Sequence, residues 1–597
     1  MTKAIHRPSA ATAPTTLTWF YQVAMPQPTT HLFEVELHLE HWSQTALDLV
    51  MPVWTPGSYL VREYARHVQA FTAVTQNGIP LPWHKVSKNH WRVMTEPGAS
   101  VGVRYRVFAN DLSVRTNHLD RSHGYFNGAA LFFYSPGWEH SPIAVTIVPP
   151  DPSWRVATPL PAAPDRPNTF MAPDFDTLVD SPFEIGTHQH YTFTAGDKPH
   201  DLVIWGHPGN SNPEQIQADI AKIIEVEADL FGGLPYDRYL FFLHLCANSY
   251  GGLEHKNACS LIYPRFGFHP QEEYNRFLQL VAHEFFHLWN VKRIRPKALE
   301  SFDYTAENYT PSLWFAEGTT SYYDILLPRR AGLYDAKTCL AAYSKDITRL
   351  QQTPGRQVQS LTESSFDAWI KLYRPDANSP NSGISYYLKG ELVSLLLDLL
   401  IRSRHNNQRS LDDVMRQLWE TFGKPEVGYT PEQLQAVMES VAGLSLDRFF
   451  ADYIEGTMEL PFDEYLQPFG LRLQVEMNAE PYLGLTLKSE GGKTLIQTVE
   501  TGSPAEQAGL NPGDELLALN GVRVTADKWS DRLKPYAPGM AIQLSVFQQD
   551  ELYTTTAVLA EPRPKQYQIV PVDTPTPAQQ QAFQGWLGDD LIRLTHP

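Results

Sequence analysis

Two histidines four residues apart, with a glutamate directly after the first, stand at His283, Glu284 and His287. On a helix of about 3.6 residues per turn, positions i and i+4 lie roughly 40° apart, so both imidazoles can reach one metal ion. The chemistry this implies is hydrolysis at a single zinc ion. Glu284 is then the expected general base, taking a proton from a water whose pKa zinc draws toward about 7. A catalytic zinc site keeps one position open and needs a third protein ligand. Glu317, within Trp314-Phe315-Ala316-Glu317-Gly318, is the expected third ligand.

These side chains need two packed helices. Residues 274–289 carry Phe277, Leu278, Leu280, Phe285, Phe286, Leu288 and Trp289, a pattern that predicts a mostly buried helix around the histidines. A second helix is predicted to open at Thr310 as N-cap, with Pro311 as its first residue. Glycine inside a helix costs about 1 kcal/mol relative to alanine, so Gly318 is expected to permit a close helix approach beside the metal.

His283, Glu284, His287 and the later Trp-Phe-Ala-Glu-Gly run resemble the gluzincin metallopeptidases. The run from His283 to Pro296 is similar to the glycyl aminopeptidase family that carries a C-terminal PDZ domain. The interval between His287 and Glu317 is longer than in the related aminopeptidase N, with an insertion near residues 297–309. Tyr250-Gly251-Gly252-Leu253-Glu254-His255 resembles the G-x-M-E-N strand of aminopeptidase N. This resemblance implies that Glu254 holds the substrate's α-amino group and that Gly251 and Gly252 align its backbone. A flat edge strand suits that task, because a peptide can add to it by main-chain hydrogen bonds. His255 replaces the family's Asn and is a weaker candidate for substrate contact. Ser385-Tyr386-Tyr387-Leu388-Lys389-Gly390 resembles the Y-x-K-G element, which implies Tyr387 as the donor to the oxyanion, with Tyr386 as the alternative. The resemblance also implies a preference for a small first residue, Gly or Ala.

The 597 residues, 42% of them apolar, suffice for several domains. The fold expected is α+β and multidomain. Residues 1–190, with alternating segments such as 32–39 and 101–107, predict a β-sandwich-like domain. Residues 191–465 predict a thermolysin-like peptidase domain with a helical lobe, and residues 566–597 a tail with a short helix near 577–587. Residues 475–565 resemble a PDZ domain through Gly502-Ser503-Pro504-Ala505 and Leu519-Asn520-Gly521, with Tyr482, Leu483, Gly484 and Leu485 as the peptide-carboxylate loop. Segments 54–60 and 174–182 also resemble the family's N-terminal region, and the acidic residues of the second read best as a turn or inter-domain contact.

A formal charge of −18 disfavours nucleic acid and anionic membranes as partners. Three cysteines without paired spacing suit a reducing compartment. Residues 1–28 lack the apolar run of a signal peptide, and no stretch approaches about 20 consecutive apolar residues, so a cytoplasmic location is expected. The reading is a zinc aminopeptidase acting on peptides with a free N-terminus, with protein C-termini as possible PDZ ligands. The alternatives are a zinc endopeptidase and a PDZ adaptor on a zincin scaffold.

Overall fold

The computed structural model describes residues 18–595; residues 1–17, which carry most of the segment searched above for a signal peptide, lie outside the described residues. The N-terminal region is built on a six-stranded sheet whose central members are Trp19–Ala24, Leu32–Trp42 and Ala99–Phe108. Period-two patterning explains it. Phe33, Val35, Leu37 and Leu39 point into one core, while the residues between them face outward. Smaller three- and four-stranded sheets accompany it.

The middle of the chain forms a five-stranded sheet in the order Gln189–Ala195, Lys198–Trp205, Tyr239–Cys246, Ala258–Pro264, Gly251–Glu254. Tyr239–Cys246 has parallel neighbours on both sides and is buried at every position, which accounts for its unbroken apolar run. Gly251–Glu254 pairs with one neighbour only and leaves an open edge. Helix Gln271–Phe286 packs against these last two strands. His287 is its C-cap residue, still with helical backbone angles, so the two histidines keep helical spacing although the second closes the helix.

The second helix opens differently from the expectation. Thr310 Oγ accepts from the Ser312 amide at 3.2 Å, but the regular structure starts as a π-helical turn, Trp314–Thr319, before Thr320–Arg330 continues as α-helix. The wider turn carries Glu317, and such turns are often found at functional sites. Residues 297–309 join the body to the N-terminal region: Trp54 Nε1 donates to the Asp303 carbonyl at 2.8 Å and the Val53 amide to the Tyr304 carbonyl at 2.8 Å.

Gly318 meets Gly390 of helix Tyr386–Arg404 where the two segments cross, and a Cβ on Gly318 would lie 2.5 Å from the Gly390 Cα. The close approach read from Gly318 is present. Capping boxes at Ser410 with Asp413 and at Thr430 with Gln433 start two further helices of this lobe.

A separate small core underlies the PDZ domain. The tail helix Pro577–Leu587 docks on the helical lobe, burying Phe583, Trp586 and Leu587 in its core. No helix of the described residues is long and apolar enough to cross a membrane, and all three cysteines are buried free thiols.

Between the N-terminal region and the five-stranded sheet lies a fully buried cluster. Glu184 accepts from His123 Nδ1 at 3.0 Å and from His244 Nε2 at 2.9 Å. Burial pushes this carboxyl up, but the two imidazoles outweigh it and hold the pKa at about 2. Its folded value lies below its unfolded one of about 4.5, so the stabilisation is complete above about pH 4.5 and fades as pH falls toward 2.

Two outcomes are expected. Glu184→Gln should cost about 1.5–3 kcal/mol at pH 7, the range for hydrogen bonds to a charged group, with the melting-temperature gap to wild type narrowing by pH 3; a pH-independent gap would contradict the charge assignment. Gly318→Ala should cost about 1–3 kcal/mol of stability, read as a lower denaturant midpoint, because backbone rather than a flexible side chain meets the new methyl. Unchanged stability would show that the two segments part freely.

Candidate functional site

Helix Gln271–Phe286 turns both motif histidines toward Glu317. His287 Nε2 lies 3.2 Å and His283 Nε2 3.6 Å from Glu317 Oε2. The far nitrogens are held by other groups: His283 Nδ1 donates to Asp324 at 2.8 Å, and His287 Nδ1 to the Asn290 carbonyl at 2.6 Å. Those bonds set each tautomer so that Nε2 carries the lone pair facing Glu317. A tetrahedral ion with metal–ligand distances of about 2.1 Å separates its ligands by about 3.4 Å, a value the two distances bracket. His283, His287 and Glu317 therefore fit one zinc-type ion. A second donor group, Glu254, Glu284 and His287, also has its ligand atoms within 4.8 Å of one another.

Glu284 lies against the edge strand, where a Cβ on Gly252 would come within 2.1 Å of its carboxylate. Gly252 is thus the gap into which Glu284 fits. One carboxylate oxygen of Glu284 is buried without a hydrogen-bond partner, and burial raises its pKa to about 7 against the opposing pull of His283 and His287. Glu254, at the end of the same strand, is likewise buried with Oε1 unpartnered. Gly57, at φ +85°, packs so closely that its Cβ would lie 2.5 Å from Glu254 Oε1. Gly251 adopts φ +149°, a backbone region that favours glycine.

His255 is turned away from this group. Its Nδ1 contacts Asp180 at 3.3 Å; Asp180 also receives Lys292 Nζ at 2.6 Å and the Lys256 amide at 2.7 Å. Burial raises the Asp180 pKa, but Lys292 and His255 outweigh it and hold it far below the usual range. The acidic segment 174–182 thus makes an inter-domain contact at the rim of the site.

Tyr387 is half-buried with its ring 6.3 Å from that of His283, and its hydroxyl is 2.9 Å from the Tyr373 hydroxyl. Tyr386 is fully buried behind it and reaches Tyr373 at 3.4 Å. Burial, then the Glu317 charge, raises the Tyr387 pKa and keeps the phenol protonated as a donor.

Sequence reasoning missed Asp324, Asn290 and Tyr373. Asp324 follows Glu317 by seven residues, two helical turns, so a search for carboxylates on the face of Glu317 finds it. Asn290, three residues after His287, donates to the Phe315 carbonyl at 3.0 Å and to Thr320 Oγ at 3.2 Å, locking the π-helical turn. Tyr373 lies in an irregular segment and carries no sequence signal.

The PDZ loop stands apart from this group. Tyr482 Oη donates to Glu500 at 2.6 Å, and the Arg563 guanidinium lies 3.8 Å from the centre of the Tyr482 ring. Leu483, Gly484 and Leu485 line a cavity of about 200 Å³ with Trp529 and Leu533, and the next strand is an open sheet edge.

Residues 20–187 match the Peptidase M61 N-terminal domain, residues 276–393 the M61 glycyl aminopeptidase domain and residues 495–535 a PDZ domain. The crystal structure of an aminopeptidase N family protein from Idiomarina loihiensis is similar, with 33% identity and a TM-score of 0.90 over 95% of this chain and 100% of that one. An M1 zinc metallopeptidase from Deinococcus radiodurans aligns with 15% identity and a TM-score of 0.47 over 75% of this chain and 96% of that one. No curated protein sequence matches the chain. The domain matches along the chain, together with a relative aligned over its full length, establish that the protein is a peptidase belonging to the M61 glycyl aminopeptidase family.

Proposed function

We propose that the protein is a zinc-dependent aminopeptidase that removes a small N-terminal residue from peptides. The observation that carries this reading is Glu254. A buried carboxylate oxygen without a partner is costly, and it stands beside the base at the end of an open strand, where a substrate's ammonium group would satisfy it. An endopeptidase has no use for a buried anion at that point.

His283, His287 and Glu317 would hold one zinc ion, which supplies Lewis acidity and makes water a competent nucleophile near neutral pH. The rest is work for the chain's own side chains. Glu284, buried against the edge strand, takes the proton from water and returns it to the leaving amine. The Tyr387 hydroxyl, buttressed by Tyr373, donates to the carbonyl oxygen as it gains charge. Asp324 and Asn290 hold the imidazoles in place. Gly251 and Gly252 offer backbone to the peptide, apart from the Gly252 carbonyl, which Arg115 holds. His255 holds the end of the strand through Asp180 and does not touch substrate. Gly57 presses on Glu254 and holds its carboxylate in place; membership of the glycyl aminopeptidase family supports a preference for Gly or Ala. The open strand beside Leu483, Gly484 and Leu485 would receive peptide C-termini.

The test uses Ala-p-nitroanilide beside its N-acetylated copy. The zinc-loaded protein should cleave only the free-amine substrate, a chelator should abolish cleavage and added zinc restore it. Glu284→Gln should lower kcat by about 10²–10⁴-fold while still binding zinc. Equal cleavage of the acetylated substrate would overturn the role of Glu254.

A further inference from the structure

Two arginines of the N-terminal region converge on the cleft, and among the described residues neither forms an ion pair. Arg115 Nη2 donates to the Gly252 carbonyl at 2.9 Å, and its Nη1 lies 3.6 Å from where a Gly251 Cβ would be. Its Nε is buried without a partner. Arg62 donates from Nη2 to Ser58 Oγ at 3.0 Å, and its Nε is also buried and unpartnered. The two guanidiniums are close enough that the charge of Arg115 lowers the pKa of Arg62, after burial itself, against the opposing influence of Tyr64. Each influences the Tyr373 region, and Arg115 also acts on Glu284. Half-buried guanidiniums whose Nε atoms are buried and unpartnered are the counterpart of the buried carboxylate at Glu254, and guanidinium geometry suits a carboxylate.

Their position along the edge strand decides which carboxylate. Strand residues advance about 3.3 Å each, so Gly251 stands about 10 Å from Glu254. A peptide with its amine at Glu254 that runs along the edge toward Gly251 places its carboxylate about 7 Å away as a dipeptide and about 10 Å away as a tripeptide. Arg115 already occupies the Gly252 carbonyl, which a longer chain would use for pairing. We propose that Arg115 and Arg62 bind the C-terminal carboxylate of di- and tripeptides, so that the preferred substrates are short peptides held at both ends. This rests on the aminopeptidase reading and names its substrate class.

The experiment measures kcat/KM on Ala-Ala and Ala-Ala-Ala, each as free acid and as C-terminal amide, for wild type, Arg62→Gln and Arg115→Lys. The ratio of acid to amide is taken within one preparation, so partial misfolding cancels. Wild type should favour the acids by at least about tenfold, and the ratio should fall toward one in the variants. Equal rates on acid and amide in wild type, or a ratio that both variants leave unchanged, would overturn the carboxylate site alone. Failure to cleave any free-amine peptide would overturn the aminopeptidase reading with it.

Discussion

Three carboxylates, Glu254, Glu284 and Glu317, are buried together in one cleft, and no arrangement of unpaired anions so close is stable out of water. Each needs a positive partner, and the surroundings differentiate them. Glu317 faces two imidazole nitrogens whose protons are committed elsewhere, so it is suited to share a metal ion. Glu284 has a buried, unpartnered oxygen against the edge strand, a place suited to a proton in transit. Glu254 has an unpartnered oxygen at the end of an open strand, a place suited to a substrate ammonium. On the proposed reading, one electrostatic constraint would separate metal binding, proton transfer and substrate selection among three chemically similar side chains.

The scaffold brings them this close by removing side chains elsewhere. Gly252 vacates the volume that Glu284 fills, Gly57 that against Glu254, and the Gly318–Gly390 crossing lets the π-helical turn bring Glu317 to the histidines. At each position a Cβ would meet an atom at well under 3 Å. The N-terminal region contributes Gly57 and Asp180, so the cleft belongs to two regions of the chain, tied together by the Glu184 cluster and the residue 297–309 insertion.

Much of this was legible because helical spacing is short-range and repeats. His283, Glu284 and His287 announce themselves within five residues. The alternation in 32–39 reveals its strand for the same reason. Tyr373 did not show, since its place depends on the path of an irregular segment. Nor did the π-helical start of the Glu317 segment, which reflects tertiary locking by Asn290 rather than a preference of residues 310–319. Resemblance to a family supplied Tyr387 and Glu254, which spacing alone would not have singled out.

The central claim is the division of labour among the three carboxylates, and two donor groups sharing His287 compete for the metal in this geometry. The most direct measurement is zinc content by elemental analysis of purified wild type, Glu317→Gln and Glu254→Gln after removal of loosely bound metal. The account predicts one zinc per chain in wild type and in Glu254→Gln, and loss of zinc in Glu317→Gln. Zinc retained by Glu317→Gln but lost from Glu254→Gln would place the metal on Glu254, Glu284 and His287 and contradict it.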